Sequence, residues 1–104
     1  MSSRVVISQR ALDDLEEIRD YIAKHSPRNA AKFLEKLLAE FDVIADSPES
    51  YATAPENDLV PYTLRQFVVK PYRILYRVDA GRVEILHVRH GARLPARAVD
   101  LQLA

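Results

Sequence analysis

Ser26 and Pro27 divide two helical patterns, and this break limits the folds that the chain can adopt. Serine caps the start of a helix well, and proline at the first helical position loses no backbone hydrogen bond. Before the break, apolar residues recur at helical spacing from Ala11 to Lys24, and after it the same spacing continues up to Pro48. The sequence therefore predicts two antiparallel helices whose shared apolar face needs a sheet to cover it.

Strand patterns lie on both sides of this helical pair. A β-branched run over 4–7 precedes the first helix, and Ser8 is the expected cap of that helix. A connection rich in proline, over 47–61, follows the second helix. Three further strands are predicted at 62–69, 72–78 and 83–89. The predicted fold class is α+β, with an N-terminal strand, an antiparallel helical hairpin and a three-stranded antiparallel meander that forms one small sheet packed on the helices.

The length and composition of the chain exclude several classes of protein. Its 104 residues, 48% of them apolar, predict one domain over 1–104. The absence of cysteine, of a membrane-length apolar run and of a signal pattern predicts a cytoplasmic protein without a membrane partner. His25, His87 and His90 do not have the spacing of metal ligands, so no metal and no cofactor are expected.

Charge is divided between the two halves of the chain although the formal net charge is zero. Residues 1–58 carry 7 Lys and Arg against 12 Asp and Glu, whereas residues 59–104 carry 8 against 3. The acids of the first helix alternate with its apolar positions and are interpreted as a solvated face: Asp13, Asp14, Glu16, Glu17 and Asp20. All cations of the second half except Lys70 are arginine, whose planar group pairs with phosphate or carboxylate through two hydrogen bonds.

The turn at 79–82 decides which of these cations share a face of the sheet. A two-residue loop, Ala80-Gly81, would place Arg77 opposite Glu84 as a cross-strand salt bridge. A three-residue loop that includes Asp79 would place four side chains on one face, namely Arg73, Arg77, His87 and Arg89. Both interpretations are compatible with the sequence, and Tyr72 and Tyr76 are expected in the core in either case.

Seven basic side chains are the candidate site residues: Arg65, Arg73, Arg77, His87, Arg89, His90 and Arg93. Such a set could stabilise the transition state of metal-free RNA cleavage while a histidine transfers a proton. It could equally bind an acidic protein surface. For any one arginine, a third interpretation is a salt bridge with a neighbouring acid.

The chain resembles the RelE/ParE superfamily of bacterial toxins, and specifically its ParE branch. Five elements carry the resemblance through their order and spacing: the helix pattern over 11–23, the Ser26-Pro27 break with Ala30, Ala31 and Phe33, the helix end from Phe41 to Pro48, the strand Tyr72-Arg73-Ile74-Leu75-Tyr76-Arg77 and the segment His90-Gly91-Ala92-Arg93. The resemblance implies a toxin of a type II toxin–antitoxin module, encoded beside its antitoxin on a bacterial chromosome or plasmid. It also implies a hetero-oligomer with that cognate antitoxin.

The two branches of the superfamily imply different targets. The ParE branch implies a protein that binds and poisons DNA gyrase, and the RelE branch implies a nuclease that cleaves mRNA on the ribosome. In the nuclease branch, Arg73 and Arg93 would match site cations, and His90 could transfer a proton. The tail after Arg93 has neither the tyrosine nor the histidine that those nucleases use. We therefore expect a gyrase inhibitor without catalytic residues, with the ribosome-dependent endoribonuclease as the alternative.

Overall fold

The computed structural model describes residues 3–92 and 95–101. Its helices and strands follow the order predicted from the sequence: β1 Arg4–Ile7, α1 Gln9–Ala23, α2 Pro27–Asp46, β2 Arg65–Val69, β3 Tyr72–Asp79 and β4 Arg82–His90. Short 3-10 helices lie in the connection and in the C-terminal segment, at Pro48–Ser50, Pro55–Leu59 and Ala98–Leu101. No helix in these ranges is both long and apolar enough to cross a membrane.

Both predicted helix caps are confirmed. The hydroxyl of Ser8 accepts a hydrogen bond from the Ala11 N–H at 3.1 Å, and the hydroxyl of Ser26 accepts one from the Asn29 N–H at 3.2 Å. Each bond satisfies a backbone donor that the first turn of a helix leaves unpaired. The two serines thus fix where α1 and α2 begin.

The strand order β1-β4-β3-β2 adds one feature to the predicted meander. β1 pairs in parallel with β4, from Arg4 opposite Arg82 to Ile7 opposite Ile85, so the sheet is mixed. β2 begins at Arg65, three residues later than predicted. The reason is local, because the Leu64 N–H donates to the side chain of Asn57 at 2.8 Å and its carbonyl accepts from Ala54.

The turn between β3 and β4 is the two-residue loop Ala80-Gly81, so the three-residue interpretation is wrong. Asp79 pairs with Arg82, and the loop residues have φ values of 51° and 75°. Positive φ at both positions matches the twist of a tight hairpin, and alanine adopts it here despite its Cβ atom.

A β-bulge at Leu86 nevertheless brings the four expected side chains to one face. Tyr76 pairs with Ile85, whereas Leu75 pairs with His87, so Leu86 has no partner of its own on β3. The extra residue shifts the alternation of β4 by one. As a result, the side chains of Arg73, Arg77, His87 and Arg89 lie on the same side of the sheet, which we call the basic face.

Apolar clusters cover both faces of the sheet. The larger one packs the helices against β3 and β4 and includes Phe41, Ile85 and the two tyrosines predicted in the core, Tyr72 and Tyr76. The smaller one lies on the basic face, where the C-terminal segment covers the strands: Ala54, Leu64, Leu75, Leu86, Ala96 and Leu101. The basic face is therefore partly an apolar packing surface as well.

Candidate functional site

Arg73 on the basic face is held by three intramolecular hydrogen bonds. Its two terminal nitrogens donate to the carboxylate of Glu56 at 2.9 and 2.6 Å, and its Nε donates to Gln66 at 2.9 Å. The side chain of Arg73 is 13% exposed and that of Glu56 is 0% exposed. The same carboxylate accepts from the Ala96 N–H at 2.8 Å. Arg73 thus ties the proline-rich connection, the sheet and the C-terminal segment together.

The environment of Glu56 keeps its carboxylate charged. Burial alone would raise the pKa of Glu56, but the hydrogen bonds from Arg73 and from the Ala96 backbone outweigh it and lower the pKa from 4.5 to about 2. An ionised Glu56 is therefore part of the folded state over the whole neutral range.

We expect the free energy of unfolding to fall by about 3 kcal/mol on acidification because of Glu56 alone. The folded pKa lies below the unfolded one, so this contribution is complete above about pH 4.5 and is lost as the pH falls through about 2. Urea unfolding of the wild type and of Glu56→Gln from pH 6 to pH 2 measures it. The difference in stability between the two proteins should shrink by about 3 kcal/mol; a difference independent of pH would contradict the assignment.

Arg77 is also engaged within the chain. Its Nε donates to Glu84, directly opposite on β4, at 2.7 Å, and its guanidinium lies 4.9 Å from the ring centroid of Tyr62. The hydrogen bond to Glu84 raises the pKa of Arg77. The two-residue turn thus produces the cross-strand salt bridge that goes with this register.

His87 lies at the edge of β4, just beyond the end of its pairing with β1. Its Nδ1 is 2.5 Å from the Asp14 carboxylate, which also accepts from the Val88 N–H at 2.9 Å and lies 3.4 Å from the Nε of Arg10. Asp14 is buried, although the sequence interpretation placed it on a solvated face. Beyond the end of β1, the Asp14 carboxylate thus accepts the hydrogen bond from the Val88 N–H that a neighbouring strand would otherwise accept.

Arg89 contacts the other nitrogen of the His87 ring. Its Nη1 lies 3.2 Å from the Nε2 of His87, and Arg89 is directly opposite Arg73 on β3. Three side chains, Asp14, His87 and Arg89, thus form a continuous polar chain around the edge of the sheet.

Arg65 and His90 do not join the basic face. Arg65 pairs with Tyr76 and donates to the Tyr51 carbonyl at 2.6 Å, on the side of the helices. His90 pairs with Tyr72, whose ring it meets edge-on at 5.5 Å, and its Nδ1 accepts from the Ala92 N–H. Arg93 lies outside the described residues. The structure therefore does not bring His90 and Arg73 together, since they lie on opposite faces.

A groove of about 750 Å³ separates α1 from the end of β4, and we call it the α1–β4 groove. Its α1 wall carries Asp14, Glu17, Asp20, Tyr21 and Lys24. Its β4 wall includes His87 and His90, on the stretch of strand that β1 leaves uncovered. Over 3–92 and 95–101, no cluster of three or more acidic or histidine side chains could hold a metal ion.

The family described as "ParE toxin of type II toxin-antitoxin system, parDE" matches residues 5–95. The chain belongs to this family. A curated relative of this ParE-family chain is Toxin RelE2 of Caulobacter vibrioides, 42% identical over 93 residues, which are 88% of this chain and 99% of the relative. The chain is thus a type II toxin of the RelE/ParE superfamily.

Two solved structures share the ParE fold seen here. A chromosomal ParDE system from P. aeruginosa superposes with a TM-score of 0.71 at 21% identity, covering 86% of this chain and 96% of the other. The RelBE2 toxin–antitoxin complex from Mycobacterium tuberculosis gives a TM-score of 0.57 at 24% identity, covering 86% and 99%. At these identities the likeness concerns the fold alone.

Sequence reasoning missed two acids of this ParE-family site, Glu56 and Asp14. Asp14 had a usable signal, because it occupies the helical spacing of the buried positions Ala11 and Ile18. Glu56 had none, since it lies in an irregular connection and meets Arg73 only through the fold.

Proposed function

We propose that the chain is a ParE-type toxin that inhibits DNA gyrase by binding it, without covalent chemistry of its own, and that a cognate antitoxin neutralises it. The toxin class follows from family membership. The observation that favours binding over RNA cleavage is the engagement of Arg73, the cation that a nuclease would need at the reacting phosphate.

A guanidinium can stabilise a developing phosphate charge only if it faces the substrate. Instead, both terminal nitrogens of Arg73 donate hydrogen bonds to the buried carboxylate of Glu56. Opening that pair would leave a charge buried without its partner, which is strongly unfavourable. His90, the remaining described member of the nuclease alternative, lies on the other face of the sheet. These two placements argue against a shared catalytic centre.

The α1–β4 groove is the place where we expect the antitoxin. β4 continues from Leu86 to His90 beyond its pairing with β1, and the groove runs along this stretch. Ser8 and Asp14 already bond the Leu86 carbonyl and the Val88 N–H, so the antitoxin segment would pack into the groove rather than join the sheet as a further strand. The exposed ring of Tyr21 offers apolar contact area beside it. Because the α1 wall carries three carboxylates, an amphipathic segment fits the groove better than an acidic one.

A supercoiling assay with purified gyrase tests the proposal. The toxin should inhibit supercoiling, its induction should elicit a DNA-damage response, and addition of the antitoxin encoded by the neighbouring gene should reverse the inhibition. Primer extension on mRNA from the same cultures should show intact transcripts.

Two results together would overturn this function in favour of the alternative, namely cuts at fixed codon positions and gyrase activity unchanged by the toxin. The variant Arg28→Gln is the matched control. Arg28 is an exposed residue of α2 and is distant in sequence from the arginines of the sheet. Its replacement should therefore give the same results as the wild type in both assays.

A further inference from the structure

We propose that Asp14 and His87 are positioning residues that hold the guanidinium of Arg89 on the basic face, where Arg89 contacts the target of the toxin. The inference rests on the proposed function, because it assigns Arg89 a target. It adds a buried helix carboxylate and a buried histidine to the residues on which inhibition depends.

The first link fixes the ring of His87. Both His87 and Asp14 are buried, and the Nδ1 of the ring is 2.5 Å from the Asp14 carboxylate. An ionised carboxylate only accepts hydrogen bonds, so Nδ1 must carry the proton and donate it. The Val88 N–H and Arg10 hold the same carboxylate in place. The orientation of the ring and the position of its proton are thus set from α1.

The second link is the contact between the oriented His87 ring and Arg89. With the proton on Nδ1, the Nε2 of a neutral ring is an acceptor, and it lies 3.2 Å from the Nη1 of Arg89. A guanidinium has donors only, so this contact requires that tautomer. The ring thus offers Arg89 an oriented acceptor. Arg73, directly opposite on β3, is oriented instead by the carboxylate of Glu56.

A purely structural role for His87 would depend on a different atom. Anchoring α1 to β4 needs the Nδ1 contact with Asp14, whereas positioning Arg89 needs the Nε2 acceptor. The two amide residues separate these roles, because the short side chain of asparagine can replace Nδ1 as a donor and the longer one of glutamine can replace Nε2 as an acceptor.

The experiment compares His87→Asn, His87→Gln, Arg89→Gln and the control Arg28→Gln in the gyrase supercoiling assay, with antitoxin binding and thermal unfolding as measures of folding. We expect His87→Asn and Arg89→Gln each to raise the half-inhibitory toxin concentration about tenfold, the usual effect of losing a hydrogen bond to a charged group. His87→Gln keeps an acceptor for Arg89 but loses the contact with Asp14, so its loss should be intermediate, about threefold. Combining His87→Asn with Arg89→Gln should add no further loss, because both remove one interaction.

The positioning role is overturned if His87→Gln is the more damaged variant, or if the losses from His87→Asn and Arg89→Gln multiply. Nitrogen-15 NMR of the wild-type ring gives an independent reading that does not depend on the variants folding. We expect a proton on Nδ1 and none on Nε2, and a protonated Nε2 contradicts the contact. A wild type that leaves gyrase unaffected contradicts the proposed function instead, while the NMR result still decides the geometry.

Discussion

Replacement of Arg73 by alanine should destabilise the protein by about 3–5 kcal/mol, because it leaves the buried carboxylate of Glu56 without its cation. That loss is a large part of the 5–15 kcal/mol that stabilises a typical domain. We therefore expect loss of toxicity through loss of folded protein. Urea unfolding, together with the amount of soluble toxin at the temperature of the growth assay, measures the effect.

The control for Arg73→Ala removes both partners together. In the double variant Glu56→Leu with Arg73→Met neither charge of this pair remains. The Ala96 N–H loses its acceptor, but the protein should still be closer to the wild type in stability than Arg73→Ala is, because no unpaired charge is left at this position. If Arg73→Ala were as stable as the wild type yet not toxic, Arg73 would be a target contact rather than an internal one. Comparing the stability of Arg73→Ala with that of the double variant and the wild type thus shows whether loss of toxicity at Arg73 reflects unfolding or a lost contact with the target.

Replacement of Leu75 by alanine should cost about 2–5 kcal/mol, the usual effect of a cavity in a packed core. Leu75 points to the basic face, where it is buried beneath Ala96 and Leu101 of the C-terminal segment. The hydroxyl of Tyr62 donates to the Leu101 carbonyl at 2.7 Å and fixes the segment there. Chemical unfolding of Leu75→Ala measures the contribution of this second cluster.

Val68→Ala is the matched control for Leu75→Ala. Val68 is a β2 residue that is 51% exposed, so its truncation should change stability by no more than about 0.5 kcal/mol. A loss below about 1 kcal/mol at Leu75 would mean that the C-terminal segment does not pack on the sheet in solution.

The local parts of the fold were predictable because short-range rules decide them. Serine at a helix start and proline after it set the start of α2, and Pro48 follows its end. The strand patterns predicted β3 and β4 to within one residue. The tight turn is an instructive exception, because glycine alone indicates a turn but does not decide between loops of two and three residues. Ala80 was the ambiguous position, and its positive φ selects the shorter loop.

The parts that could not be predicted depend on contacts between distant segments. The bulge at Leu86 arises where β4 passes from its pairing with β1 to its contact with Asp14, and neither partner is near it in sequence. Glu56 reaches Arg73 across 17 positions and Ala96 across 40. The periodicity of apolar side chains predicts which residues are buried, but it does not predict which buried charged groups contact each other.

Parallel pairing of β1 with β4 has a consequence for synthesis of the toxin. β1 can join the sheet only after residues 82–85 have been synthesised. In addition, the hydroxyl of Ser8 donates to the carbonyl of Leu86, 78 positions away. Closing so long a loop costs entropy that only the completed sheet can offset. A nascent or truncated chain that stops before β4 therefore cannot place β1 in its sheet, so the complete sheet cannot form before residues 82–85 have been synthesised.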